Sequence, residues 1–165
     1  MVEKISEPRL PSRFSRSLFR APIWLFHWGF GWMLGKRFLL LTHTGRKSGL
    51  QREAVLEVVD HDPETGTFFI TSGWGERSDW LKNISQNPDV RVQVGNRRFK
   101  GRAERLPPDE ASKVLVDYAK RHPAALRSLA RALGYRIDGV DDARELGRII
   151  PIVALHPTDP AQIIS

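Results

Sequence analysis

Residues 38–52 read FLLLTHTGRKSGLQR, an apolar run of strand type that breaks into a short loop with two glycines and closes on a third base. From Arg20 to Arg52 the chain carries six Lys or Arg and no Asp or Glu, so the loop lies in uncompensated positive charge. Such a loop suits a bound anion. Gly45 and Gly49 tolerate backbone angles closed to other residues and can leave amide N–H groups free to converge on an oxyanion. Arg46 supplies a planar fork, Lys47 a point charge and Ser48 a hydroxyl donor. The loop is not a P-loop, because Arg46 stands where that motif needs a Gly before its Lys. A tight surface turn with solvated bases would show the same five letters, so the surrounding pattern has to decide.

Working outward, residues 38–42 read as a buried strand, and residues 54–59 and 67–71 as a hairpin joined by the turn-rich DHDPETG. Val90, Val92 and Val94 alternate with Arg91 and Gln93, and Gly95-Asn96 forms a two-residue turn into RRFKGRAERL, a second hairpin. Its outward face sets Arg91, Arg97, Arg98, Lys100, Arg102 and Arg105 against Glu104, a solvated strand face by the simplest reading. Between the hairpins SDWLKNISQ (78–86) predicts a short helix capped by Ser78 or Asp79 and stopped by Asn87-Pro88. Helical patterns cover 109–121 and 123–133 up to Gly134, and the apolar 149–155 (IIPIVAL) predicts a closing strand. The fold expected is α+β and mainly β, a small antiparallel barrel with an N-terminal helix and a helical insertion before the last strand.

The N-terminal stretch 21–35, APIWLFHWGFGWMLG, is almost wholly apolar and holds three of the five tryptophans. Its fifteen residues fall short of the roughly twenty that cross a bilayer. No small-residue cleavage site follows, so a signal peptide is not expected. As one helix it would align Trp24, Trp28 and Trp32 in a stripe, with Phe26, Phe30 and Leu34 beside it. That surface either packs on the domain or in a homodimer, or enters a lipid headgroup layer next to Lys36 and Arg37. With 165 residues and 41% apolar content the chain makes one domain, a helical segment over 1–36 leading into a barrel over 37–158. A net charge of +7 and a pI near 10.2 point to an acidic partner. The absence of cysteine excludes a disulfide scaffold, a thiol nucleophile and cysteine-ligated metals. The expected location is the cytoplasm, with peripheral contact at the inner face of the membrane.

Common catalytic constellations are missing. His27, His43, His61, His122 and His156 show no metal-ligand spacing, so no metal is expected. Ser72, in TSGWG, lacks the Gly two positions earlier that a nucleophile elbow requires, and no GxGxxG follows a strand. Only Phe99 interleaves with the bases of the second hairpin, which argues against nucleic acid. A basic phosphate-type loop with no evident protein nucleophile suggests chemistry done through a bound anionic cofactor.

Together, THTGRKSGLQR, the Ser72-Gly73-Trp74-Gly75 loop, SDWLKNISQNPDVRVQVGNRRF and RIIPIVALHP resemble the deazaflavin-dependent nitroreductase family, over about residues 38–157. The resemblance implies an FMN-binding-type split β-barrel and the 5-deazaflavin hydride carrier coenzyme F420, whose phosphate and oligoglutamate tail suit the basic charge. It implies that Arg46, Lys47 and Ser48 line the cofactor phosphate, that Arg52 is the base just after it, and that Ser72 and Gly73 lie beside the deazaflavin ring. Trp80 and Asn83 match its W-x-x-N segment, although a core anchor and a helix-end hydrogen-bonder would look the same. Where the family tends to place a Lys after the Ser, this chain has Gly73 and Trp74, which leaves Arg77 as a substitute phosphate contact. Where it clusters tyrosines over the substrate, only Tyr118 and Tyr135 are present. The implied reaction is hydride transfer to an electron-poor hydrophobic acceptor, a quinone, enone or nitroaromatic, whose developing charge is met by Ser72, Tyr135 or water. The alternative is a split barrel that binds FMN or a lipid without deazaflavin activity.

Overall fold

Inward-facing side chains at alternate positions of six strands build the central barrel. On β2 (Phe38–Thr44), Leu39, Leu41 and His43 are all buried, as the two-residue period of a strand requires. The computed structural model describes residues 1–6, 21–72 and 74–159. Next come β3 (Gln51–Asp62), β4 (Thr67–Thr71), β5 (Asp89–Val94), β6 (Arg97–Arg105) and β8 (Ile152–Pro157), which with β2 close in the order β2-β3-β4-β8-β6-β5, every pair antiparallel. Closure leaves no exposed sheet edge. The barrel interior holds Leu39, Leu41, Ile70, Val92, Val153 and Leu155, and helix α2 (Asp79–Gln86) adds Trp80, Leu81 and Ile84 to the same core. The expected mainly β, α+β fold with an antiparallel barrel is present.

A second core covers one side of the barrel. Helices α3 (Pro108–Arg121), α4 (Pro123–Ala132) and α5 (Val140–Ile149) bury Leu115, Leu126, Leu129 and Leu146 against Val59 of β3 and Ile152 of β8. Helices α3 and α5 approach so closely that a Cβ on Gly147 would lie 2.5 Å from the Ser112 Cα. Helix α5 was not anticipated, and the last strand accordingly starts at Ile152 and not at 149. A small sheet pairs β1 (Glu3–Lys4) with β7 (Tyr135–Arg136).

The N-terminal stretch departs from the single helix expected. Helix α1 (Ala21–His27) ends early, the chain reverses at Gly29 with φ 79°, and a 3-10 turn (Gly31–Leu34) follows. Trp24, Trp28 and Trp32 therefore do not form one continuous helical stripe, yet all three are exposed, as are Phe30 and Met33. Phe26, by contrast, is fully buried. Gly31 explains the break: a Cβ there would meet the Gly95 carbonyl oxygen at 2.6 Å and the Phe26 ring at 2.8 Å. The knuckle is thus seated on the β5–β6 turn. Of the helical segment expected over 1–36, residues 7–20 lie outside the described residues, as does Gly73.

Candidate active site

Backbone bonds draw the loop between β2 and β3 into a ring. The Gly45 amide donates to the Leu50 carbonyl at 2.8 Å, and the Gly49 amide to the Gly45 carbonyl at 2.8 Å. Gly49 has φ 68° and so needs glycine, whereas Gly45 does not take the positive φ expected of it, and a Cβ there would press on the Ser48 Oγ at 2.7 Å. The Arg46 amide donates to the Asn83 Oδ1 at 3.1 Å, and the Leu50 amide to the Ser48 Oγ at 3.2 Å. Among the described residues this leaves the adjacent amides of Lys47 and Ser48 without a partner. They sit beside the exposed side chains of Lys47, Ser48 and Arg52. The glycine amides are therefore spent on closing the ring, and the free donors are those of the two residues between them. Two free amides, a hydroxyl and two cations fit a phosphate.

Asn83 anchors this loop from α2. Its Oδ1 also accepts from the Arg46 Nη1 at 2.9 Å, and the Arg46 Nη2 pairs with Asp79 at 3.1 Å. The Asn83 Nδ2 donates to the Nδ1 of buried His43 at 3.1 Å, a network that assigns the remaining proton to the His43 Nε2. Burial first, and the nearby Arg52 charge second, push the His43 pKa down to about 4, so this imidazole is a neutral acceptor. Arg46 consequently holds the loop in shape as well as charging it. His43 and Asp79 were not foreseen, although His43 continues the inward period of Leu39 and Leu41 and was legible on that ground.

The same short segment reaches a cleft on its other side. Ser78, which precedes α2, makes no capping bond. Its hydroxyl and that of Ser72 are hydrogen-bonded, and the Trp74 amide donates to the Ser72 Oγ at 3.2 Å. Ser72 and Trp74 line a cleft of about 220 Å³ between the barrel wall (Val55, Leu56) and α4 (Ala125, Leu129). Its lining is mainly apolar, as small-molecule sites are. The structure thus joins the loop and the Ser72 region through residues 72–83.

Other expected residues lie apart from this arrangement. Trp80 is a barrel-core side chain, 6% exposed. Arg77 is exposed on the 3-10 turn Gly75–Arg77. Tyr135 stands on β7, paired with Lys4 of β1, and packs against the helical core; it does not line the cleft. No cluster of potential metal ligands occurs among the described residues.

The fold is an antiparallel barrel with a helical layer, and the site sets a loop suited to an anion beside an apolar cleft. A profile of the F420H(2)-dependent quinone reductase family matches residues 28–133, and the chain belongs to that family, whose reductant is reduced coenzyme F420. A Mycobacterium tuberculosis protein, Rv3178, whose name assigns it to F420H(2)-dependent quinone reduction, is 32% identical over 76 residues, 46% of this chain. The match spans 64% of that relative's length. Among solved structures, an F420-H2 dependent reductase (FDR-A) superposes with a TM-score of 0.51 at 23% identity, covering 74% of this chain and 96% of its own. The protein Atu2129 of Agrobacterium tumefaciens, of unknown function, gives 0.56 at 17% identity over 96% of this chain and 65% of its own. At these identities the two structures speak for the fold alone.

Proposed function

We propose that this chain is an F420-dependent oxidoreductase that reduces an electron-poor, apolar acceptor of the quinone class, with enones and nitroaromatics as further acceptors. The observation that carries this reading is segment 72–83, which ties an anion-binding ring at one end to an apolar cleft at the other. Lys47, Ser48, Arg52 and the two free amides hold the cofactor's phosphate. Ser72 and Trp74 bound the place of its ring. When bound, the cofactor supplies a hydride. The protein contributes orientation and the exclusion of water.

The acceptor is proposed to reach the cleft from a lipid surface on the cytoplasmic side. Trp24, Trp28 and Trp32 are 56%, 69% and 62% exposed, an unusual display for aromatic side chains. Lys36 and Arg37 follow directly, the pairing of aromatics with bases that interfacial segments use. Arg37, three residues after the 3-10 turn ends at Leu34, also lines the cleft. No helix among the described residues is long and apolar enough to span a membrane. A test of the reaction places deuterium on the central ring of the reduced cofactor and follows cofactor oxidation with an activated alkene as acceptor. The expected result is deuterium on product carbon with a primary isotope effect; solvent hydrogen at that carbon, with no isotope effect, would exclude hydride transfer.

A further inference from the structure

The cleft beside Ser72 is mainly apolar, with Thr71, Ser72, Ser128 and one charged pair in its lining. Among the described residues Arg37 and Glu57 are the only ionisable side chains there. Glu57 lies on β3 opposite Thr71, one residue before Ser72. Its Oε1 accepts from the Tyr118 hydroxyl at 3.0 Å and faces the Arg37 Nη2 at 3.6 Å. Tyr118 comes from α3 and is 4% exposed, so its hydroxyl is a fixed donor, and burial with the Glu57 charge keeps it protonated. Arg37 is held at its other end: its carbonyl accepts from the Val58 amide at 2.8 Å, and its guanidinium lies 5.6 Å from the Phe38 ring centroid. A guanidinium has five N–H donors, and Glu57 occupies one side of the fork. The Arg37 side chain remains 60% exposed. The other donors considered for the acceptor are spent or distant: the Ser72 hydroxyl is engaged with Ser78, and Tyr135 is not in the cleft.

We infer that Arg37 is the residue that grips the acceptor's carbonyl oxygen, with Glu57 and Tyr118 as the positioning residues that aim it. The inference rests on the proposed quinone reduction and adds the group that answers the charge. Hydride uptake brings the acceptor two electrons and one hydrogen, and the reduced cofactor becomes its oxidised form. The negative charge left on the acceptor oxygen is held by the Arg37 guanidinium and is discharged by a proton from water. A preset cation in a mostly apolar cleft favours that charged state over the neutral ground state. It also selects acceptors with an oxygen at one end and an apolar body, which Val55, Leu129 and Ala132 cover.

The test uses binding as well as turnover. The probe is 2-hydroxy-1,4-naphthoquinone, an anion at neutral pH that mimics the developing charge, compared with neutral 1,4-naphthoquinone by tryptophan quenching. Arg37→Gln should weaken the anion at least tenfold and the neutral compound less than threefold. Arg37→Lys should recover part of the loss, and Tyr118→Phe should show a smaller loss with the same preference. Affinity for F420 should stay within twofold in all three, and kcat/KM for the neutral quinone should fall at least tenfold in Arg37→Gln. Equal loss for both probes, or none, overturns the assignment. If wild-type protein shows the Arg37-dependent preference yet does not oxidise reduced F420 with any quinone, the proposed function fails and the oxyanion grip stands. Turnover that survives Arg37→Gln undiminished has the reverse meaning.

Discussion

Asn83 is the residue on which the β2–β3 loop turns. One amide group satisfies a backbone N–H, a guanidinium and a buried imidazole. Replacing it with Leu strands these partners at a cost of about 1–3 kcal/mol for a buried unsatisfied group. The Asn83→Leu melting temperature is therefore expected to fall, and F420 affinity with it, because the ring at Gly45 loses its hold on α2. His43 adds a pH dependence. Its folded-state pKa of about 4 lies below the ordinary value of 6.5, so between these values the unfolded chain binds the extra proton. The stability contributed is full above pH 6.5 and is lost as pH falls toward 4. Thermal melts of wild type and His43→Gln over this range are expected to diverge, the wild type falling more steeply; parallel curves would refute a neutral buried imidazole. The Arg46, Lys47 and Ser48 positions were legible as a basic loop with glycine hinges. The bond from Asn83 to Arg46 was not, because 37 residues separate partners that only the fold brings together.

Among the elements, the strands read most clearly. The alternation of Leu39, Leu41 and His43 and of Val90, Val92 and Val94 held, β3 carries a bulge between Val58 and Asp60 that the pattern did not show, and the Gly95-Asn96 turn set the second hairpin's register, Val94 opposite Arg97. The N-terminal element read least well. Trp24, Trp28 and Trp32 have perfect helical spacing, but spacing cannot reveal that a Cβ at position 31 would collide with Gly95. Helix α5 was missed although Asp141 and Asp142 mark its first turn and Ala143 and Leu146 its buried face, since Gly147 interrupts a short pattern. Two variants separate the knuckle's roles. Deleting residues 1–35 removes fully buried Phe26 from the barrel and is expected to lower the melting temperature or cause aggregation. The triple variant Trp24→Ser, Trp28→Ser, Trp32→Ser alters only exposed side chains. It should melt like wild type and lose co-sedimentation with anionic vesicles; retained binding would assign membrane contact to the basic barrel face instead.

For the whole molecule, barrel and helical layer divide the work. The barrel presents the anion ring at the β2–β3 connection, and the helical layer roofs the cleft with Ala125, Leu129 and Ala132. On the second hairpin Arg102 pairs with Asp89 and Arg105 with Glu76, while Arg91 and Arg98 bind the neutral side chains of Gln51 and Gln93. The excess positive charge that matters for a ligand is the part left exposed at Lys47 and Arg52. The class of ligand was therefore readable from composition and motif, whereas the cleft was not, since its walls come from β3, β4 and an α4 that lies 50 or more residues away. The most direct measurement is a titration of oxidised F420 into the wild-type protein and into Arg46→Ala/Lys47→Ala, followed by tryptophan fluorescence, with FMN in parallel. Wild type should bind F420 in preference to FMN. The double variant should bind it at least tenfold more weakly, since it loses the Lys47 charge-assisted contact, of about 1.5–3 kcal/mol, together with the hold of Arg46 on the loop, while the fold persists by circular dichroism. Equal F420 affinity in the two proteins at low salt, or tight FMN binding with none of F420, would contradict the assignment of this loop and cleft to a deazaflavin.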